Sequence, residues 1–210
     1  MSSTLLSKIA AATGAYYRET LTGFKWIARA ADEIDARDGA DVQFVFGYEE
    51  ALGYLVGQVV RDKDGIGAAL AVLGLAAAAK LRGRTLHDAY DDLERAHGVH
   101  LTEQLTLRIP DTAAVMRRIR ATPPSTLGGF PVQAVTDYAG PGTGLPRSDV
   151  LSYTLPQARV AIRPSGTEPK VKAYLEVVEP AGDDLAAARA VAADRMAPLR
   201  SSVTALLTSQ

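Results

Sequence analysis

Cysteine is missing from all 210 residues. A disulfide scaffold and a thiolate metal site are therefore closed to this chain, and a reducing cytoplasm suits it. Charge of one sign is missing as well: 23 Lys and Arg stand against 24 Asp and Glu, a formal net charge of -1. That balance argues against nucleic acid or an anionic membrane as partner. Histidine is scarce. His87, His97 and His100 fall in or beside one polar stretch, where solvated surface is the expectation. No apolar run is long. The most apolar, "IGAALAVLGLAAAA" (66–79), is shorter than the roughly 20 residues of a bilayer span and reads as a buried helix of a soluble protein. The N-terminus "MSSTLLSKIAAATGAYY" lacks the charged start and long apolar core of a secretory leader, so a cytoplasmic protein is expected. Also missing are GxxxxGK[ST], GxGxxG after a strand, and HExxH.

What is present is enough for a core. Apolar residues make up 47% of the chain, and its length suits one large domain or two ordinary ones. The first 85 residues alternate helix and strand signals. "SSTLLSKIAAATG" is a helix with Ser2 or Ser3 as N-cap and Gly14 as stop, and "AYYRETL" is a short strand. A helix follows from about Phe24 to Arg37, closed by Asp38-Gly39, and then a strand in "DVQFVFGYEE" that breaks at Gly47. "DKDGIGAALAVLGLAAAAKLRG" is a long helix with Asp62 or Asp64 at its start and Lys80, Arg82 and Gly83 at its end, a polarity matching the helix dipole. Alternation of this kind predicts an α/β domain, a mixed sheet covered by helices.

After Gly83 the pattern changes. "TLHDAYDDLERAHG" is a polar connector helix ending at Gly98. "VHLTEQLTLRI" alternates as a strand, "DTAAVMRRIRATPP" is a short helix, and 125–149 is strand plus loop. "VLSYTLPQARVAIRPSGTEPKVKAYLEVV" holds three strands, and the chain closes on a helix capped by Asp183 or Asp184. A small α+β domain with an antiparallel sheet is predicted, which divides the chain into 1–99 (with the connector) and 100–210.

Three clusters carry the chemistry. "RPSGTEPK" (163–170) joins two strands, yet a hairpin needs only turn residues. Arg163 offers a planar fork for phosphate, Ser165 and Thr167 offer hydroxyls, and Gly166 lets backbone N–H groups approach an anion. Lys170 and Lys172 add charge beside it. "FGYEEALGY" (46–54) sets Glu49 and Glu50 between Gly47 and Gly53 as a flexible acidic loop suited to accept from sugar hydroxyls, and a thin Mg²⁺ site at best. Lys63 in "RDKDGIGAA" stands just before a helix start, where an anion is favoured. Taken alone, the 163–170 loop reads equally as an ordinary polar hairpin, and the acidic stretch and Lys63 read first as solvated surface charge. "RRIR" (117–120) is too small for a nucleic-acid footprint.

In this order, "TLTGFKWI", "FGYEEALGY", "RDKDGI" and "RPSGTEPKVKAYLE" resemble the C-terminal part of the α-D-phosphohexomutase superfamily, the phosphoglucomutases and phosphomannomutases, and within it the phosphopentomutase-like branch. The resemblance covers nearly the whole chain. It implies most of the third domain and all of the fourth of a four-domain enzyme that moves a phosphoryl group between a phosphoserine and a sugar phosphate. Glu49 and Glu50 would hold the sugar, and Lys63 matches a lysine near the transferred phosphate. Arg163, Ser165, Gly166 and Thr167 would clamp the other phosphate, with Lys172 a second cationic contact. Ala51 departs from the family, which usually has Ser there. The phosphoserine loop and the DGDxDR-type Mg²⁺ loop lie in the first two domains of such enzymes and do not occur in these residues. The resemblance therefore implies no catalytic residue and no metal ligand in this chain, which would be a truncated product or one half of a split enzyme whose N-terminal half carries both. A non-catalytic sugar-phosphate-binding module is the competing class, and an assembly subunit a third.

Overall fold

The computed structural model describes residues 2–35, 42–57 and 59–209. It forms two compact units, Met1–Leu93 and Glu94–Gln210. An α/β domain is followed by a small α+β domain built on an antiparallel sheet.

The first unit opens with α1 (Leu5–Thr13) and α2 (Phe24–Asp35). The hairpin β1 (Phe46–Glu49) and β2 (Gly53–Val56) follows, then α3 (Gly65–Leu81) and the greater part of α4 (Leu86–His97). α1 stops where Gly14 turns left-handed at φ 70°. Its N-cap position is Thr4, one residue beyond the expected serines, and Ser3 Oγ accepts from Leu5 N–H. Phe24, Ile27 and Ala31 of α2 lie one helical turn apart and pack with Leu55 of β2, with Phe44 at the margin.

Several expectations change here. "AYYRETL" is not a strand: Ala15–Thr20 has no regular structure, and no strand among the described residues pairs with it. The expected end of α2 at Arg37 and its closure at Asp38-Gly39 lie outside the described residues. β1 runs through Gly47 instead of breaking there. A Cβ on Gly47 would lie 2.6 Å from Ile27 Cγ2, so this glycine admits α2 to the strand. α3 is capped by Asp64, whose carboxylate accepts from Gly67 N–H at 2.7 Å. It is not the buried helix that its composition suggests: none of its residues is buried, and Ile66, Leu70, Leu73, Leu75 and Leu81 are exposed.

The second unit is a five-stranded antiparallel sheet of order β3-β9-β8-β7-β6. Its strands are β3 (Val99–Arg108), β6 (Ala134–Asp137), β7 (Leu151–Leu155), β8 (Ala158–Pro164) and β9 (Lys170–Glu179). Helices α5 (Thr112–Ala121) and α6 (Leu185–Thr208) join the core cluster on one face. A small hairpin, β4 (Thr126–Leu127) with β5 (Phe130–Pro131), lies beside α6. Alternation decides the faces. Val171, Ala173, Leu175 and Val177 point inward, whereas Lys170, Lys172 and Tyr174 sit on the outer face.

α6 buries Leu185, Ala188, Ala192, Met196, Leu199, Val203 and Leu207, a stripe at steps of three and four. Pro198 lies inside it, a residue that costs a helix interior about 3 kcal/mol, so the stripe's burial holds the helix together. Asp184 starts it by accepting from Ala186 and Ala187 N–H.

His100 is the second correction of substance. It is not solvated surface: its ring is 1% exposed, with Nδ1 2.9 Å from Glu176 Oε1. Arg159 approaches the other Glu176 oxygen at 3.6 Å. Buried charge requires such company. Elsewhere Arg189 grips the buried Glu94, and Arg120 spans Asp137 at 3.0 Å and Asp149 at 2.5 Å. Partial burial is the largest single influence on the Asp137 carboxylate and works against it, but the Arg120 hydrogen bond, the Ala139 N–H and the Arg120 charge together hold the group below its usual range. Burial pushes the Tyr153 phenol up to about 12.

Candidate functional site

The candidate residues fall into two sets, one in each unit. In the first unit Glu49 is the last residue of β1, with Gly53 as its strand partner. The acidic stretch is thus a tight hairpin turn through Glu50, Ala51 and Leu52, not a flexible loop; Leu52 takes φ 57°. The Glu49 side chain is only 13% exposed, and Lys63 Nζ lies 3.0 Å from its Oε1. Its Oε2 accepts from Gly23 N–H at 3.3 Å. The Lys63 ammonium also stands over the Phe24 ring, 5.7 Å from the centroid.

Gly53 makes this possible. A Cβ there would lie 2.9 Å from Glu49 Cγ, 3.0 Å from Lys63 Cε and 2.7 Å from Phe24 Cδ2. Backbone geometry places Lys63 as well: Asp64 N–H donates to Tyr54 carbonyl oxygen at 2.7 Å, tying the start of α3 to β2. Glu50 is different. It is exposed, and its Oε1 accepts from Ser3 N–H at 2.7 Å, so it also anchors the start of α1. Glu49 and Lys63 are brought together and Glu50 points elsewhere.

These carboxylates do not suit magnesium. Glu49 already holds an ammonium and a backbone N–H, and no three His, Asp or Glu side chains converge among the described residues.

In the second unit the loop from Ser165 to Pro169 joins β8 to β9. Arg163 and Lys172 are cross-strand partners at its base, so their side chains share the outer face. Ser165 N–H donates to Lys170 carbonyl oxygen at 2.8 Å, which closes the loop's neck. Ser165 Oγ faces Thr167 N–H at 3.5 Å, a long contact. Nothing lies within 4 Å of a Cβ built on Gly166, so its backbone is open to a ligand. Lys170 pairs with Glu168. Its hydrogen bond and charge hold that carboxyl below the usual carboxylate range, with smaller help from Arg108 and Lys172.

Arg163 and Lys172 are in no ion pair among the described residues. Most other arginines of this unit are engaged: Arg118 by Leu206 carbonyl and Ser209, Arg120 by two aspartates, and Arg159, Arg189, Arg195 and Arg200 by glutamates. Two unpaired cations facing each other across a strand pair, beside an open glycine and two hydroxyls, have the chemistry that suits an anion.

Two family models match the chain in succession. Residues 1–96 match the family model "Phosphoglucomutase/phosphomannomutase, alpha/beta/alpha domain III". Residues 108–195 match "Phosphoglucomutase/phosphomannomutase, C-terminal domain". The chain belongs to the phosphoglucomutase/phosphomannomutase family. A probable phosphomannomutase of Haemophilus influenzae is 37% identical over 181 residues, covering 84% of this chain and 34% of the relative. A phosphoglucomutase of Staphylococcus aureus is 30% identical over 203 residues, covering 89% and 36%. One from Staphylococcus haemolyticus is 33% identical over 177 residues, covering 76% and 32%. The chain spans about a third of the length of the curated relatives it matches.

Two neighbours of these clusters were not legible in the sequence. Gly23 holds Glu49 through a backbone N–H that no side-chain pattern announces. Arg108, far from the loop in sequence, stands at the strand end next to it, where only the pairing of β3 with β9 reveals it.

Proposed function

We propose that this chain is the substrate-recognition part of a phosphosugar mutase, one that interconverts 1-phospho and 6-phospho hexoses or 1-phospho and 5-phospho pentoses. Arg163, Ser165, Gly166, Thr167 and Lys172 hold the phosphate that is not being transferred. Glu49, assisted by Glu50, accepts from sugar hydroxyls, and Lys63 neutralises charge beside it. The observation that carries the reading is the facing pair of unengaged cations, Arg163 and Lys172, under an open Ser-Gly-Thr loop. Magnesium and the phosphoserine nucleophile would come from polypeptide outside these residues, so the chain by itself binds without transferring phosphoryl groups. A cysteine-free composition supports a cytoplasmic setting, and no single helix among the described residues is long and apolar enough to cross a membrane.

Titration with glucose 1-phosphate and with inorganic phosphate, followed by amide shifts, tests the reading. Both ligands are expected to shift Ser165–Thr167, and the sugar ester alone Glu49–Ala51; silence at Ser165–Thr167 would sink it. Turnover of glucose 1-phosphate by the purified chain, free of other mutase, would overturn the assigned inactivity. Exchanging Glu49 for Gln keeps the size and removes the charge. It should cost the sugar ester about 1–3 kcal/mol of binding and leave inorganic phosphate unaffected. Equal loss for both ligands would remove the sugar role from Glu49.

A further inference from the structure

The loop is a continuation of three strands, not two. β9 lies between β8 and β3, and Ile109 N–H donates to Pro169 carbonyl oxygen at 3.0 Å, so the end of β3 is fastened to the loop. Antiparallel partners share a face, and residues two apart return to it. The outer face therefore carries ordered rows. One row is Arg163, Lys172 and Thr106, and the next is Ser165, Lys170 and Arg108.

In the outermost row the two cations have different fates. Lys170 is committed to Glu168. Arg108 is exposed and in no ion pair among the described residues. It thus matches Arg163 and Lys172, and the three unengaged cations occupy one end of one sheet face. From strand spacing and rise, the Arg108 and Arg163 backbones are roughly 12 Å apart, and Arg108 and Lys172 roughly 8 Å. Two extended arginine side chains close the first gap between them. The positive field of Arg108 already reaches the loop, where it helps hold the Glu168 carboxyl ionised.

A phosphate monoester carries close to two negative charges at neutral pH, its second ionisation lying near pH 6. Lys170 is paired with Glu168, so in the outermost row Arg108 is the cation available to add to Arg163 and Lys172 and strengthen the field on the second charge. We propose that Arg108 is a specificity-determining contact of the phosphate clamp. It reaches from β3 to the ester held by Arg163 and favours the dianion over the monoanion. This rests on the clamp reading above.

The test is titration of the full chain with inorganic phosphate at pH 7.5 and pH 5.5. The variants are Arg108→Gln, Arg108→Lys, Arg163→Ala and Arg117→Ala; Arg117 is an exposed cation of α5, the helix that packs on the opposite face. Arg108→Gln should raise Kd about tenfold at pH 7.5 and clearly less at pH 5.5, as for one lost charge-assisted contact. Arg108→Lys should keep most of the affinity, because the charge stays, and Arg117→Ala should bind as wild type. If Arg163→Ala weakens binding while Arg108→Gln stays within twofold of wild type, the role of Arg108 is overturned and the clamp stands. An equal loss in Arg117→Ala would assign the effect to net charge and overturn it too. If Arg163→Ala also binds as wild type, the clamp itself falls.

Discussion

Replacing Arg163 by alanine is expected to weaken sugar-phosphate binding by about 2–5 kcal/mol while leaving the fold intact. The size follows from the geometry. A guanidinium meets a phosphate through two parallel hydrogen bonds, and at this position it faces Lys172 across the strand pair with no carboxylate paired to it among the described residues. Removal leaves a bound dianion with one cation at its base. Lysine in place of Arg163 should recover only part of the loss, since it brings charge without the fork. The fold should survive because Arg163 lies on the outer face, while its neighbours Ile162 and Val171 carry the core. Calorimetric titration of wild type, Arg163→Ala and Arg163→Lys with glucose 1-phosphate reads the effect. Equal affinities across the three would refute the assignment.

The second large effect is one of stability. Gly128 sits in the turn of the β4–β5 hairpin at φ 58°, and a Cβ there would lie 2.6 Å from the backbone nitrogen of Leu199 in α6. Alanine meets two costs. The left-handed conformation costs about 1–2 kcal/mol for a residue with a Cβ, and the collision with helix backbone adds about 1–3 kcal/mol of overpacking. A total of about 2–5 kcal/mol is expected. Gly129, at φ 84° with open space around its Cβ position, isolates the first cost. In urea the midpoint of Gly128→Ala should fall well below that of Gly129→Ala, with similar slopes. Matching midpoints would show that the close approach to α6 contributes nothing.

What could be read in advance was what is locally encoded. β3 and β7 to β9 announce themselves by alternation, and Asp64 and Asp184, each one of two candidates, cap their helices as positions beside apolar runs suggest. The anion-binding character of Arg163 to Thr167 was legible because the groups are adjacent in the chain. Groups that meet only through pairing were not. His100 lies in a polar stretch and reads as surface, yet the β3–β9 register carries it beside Glu176, which is 76 residues away. Arg108 joins the loop through the same register. The Glu49–Lys63 pair depends on a glycine that serves neither as a turn residue nor as a strand break. α3 shows the opposite error: composition demands burial, but only contacts can grant it.

That helix has a thermodynamic consequence. Unfolding raises the heat capacity in proportion to the apolar surface newly given to water, and denaturant slopes scale with the same exposure. Ile66, Leu70, Leu73, Leu75 and Leu81 are already hydrated in the folded chain, so melting α3 adds little to either quantity. The first unit therefore has a flatter temperature dependence and a weaker response to urea than its share of residues would suggest. The second unit, with its buried sheet face and the stripe of α6, dominates any calorimetric or denaturant trace of the whole.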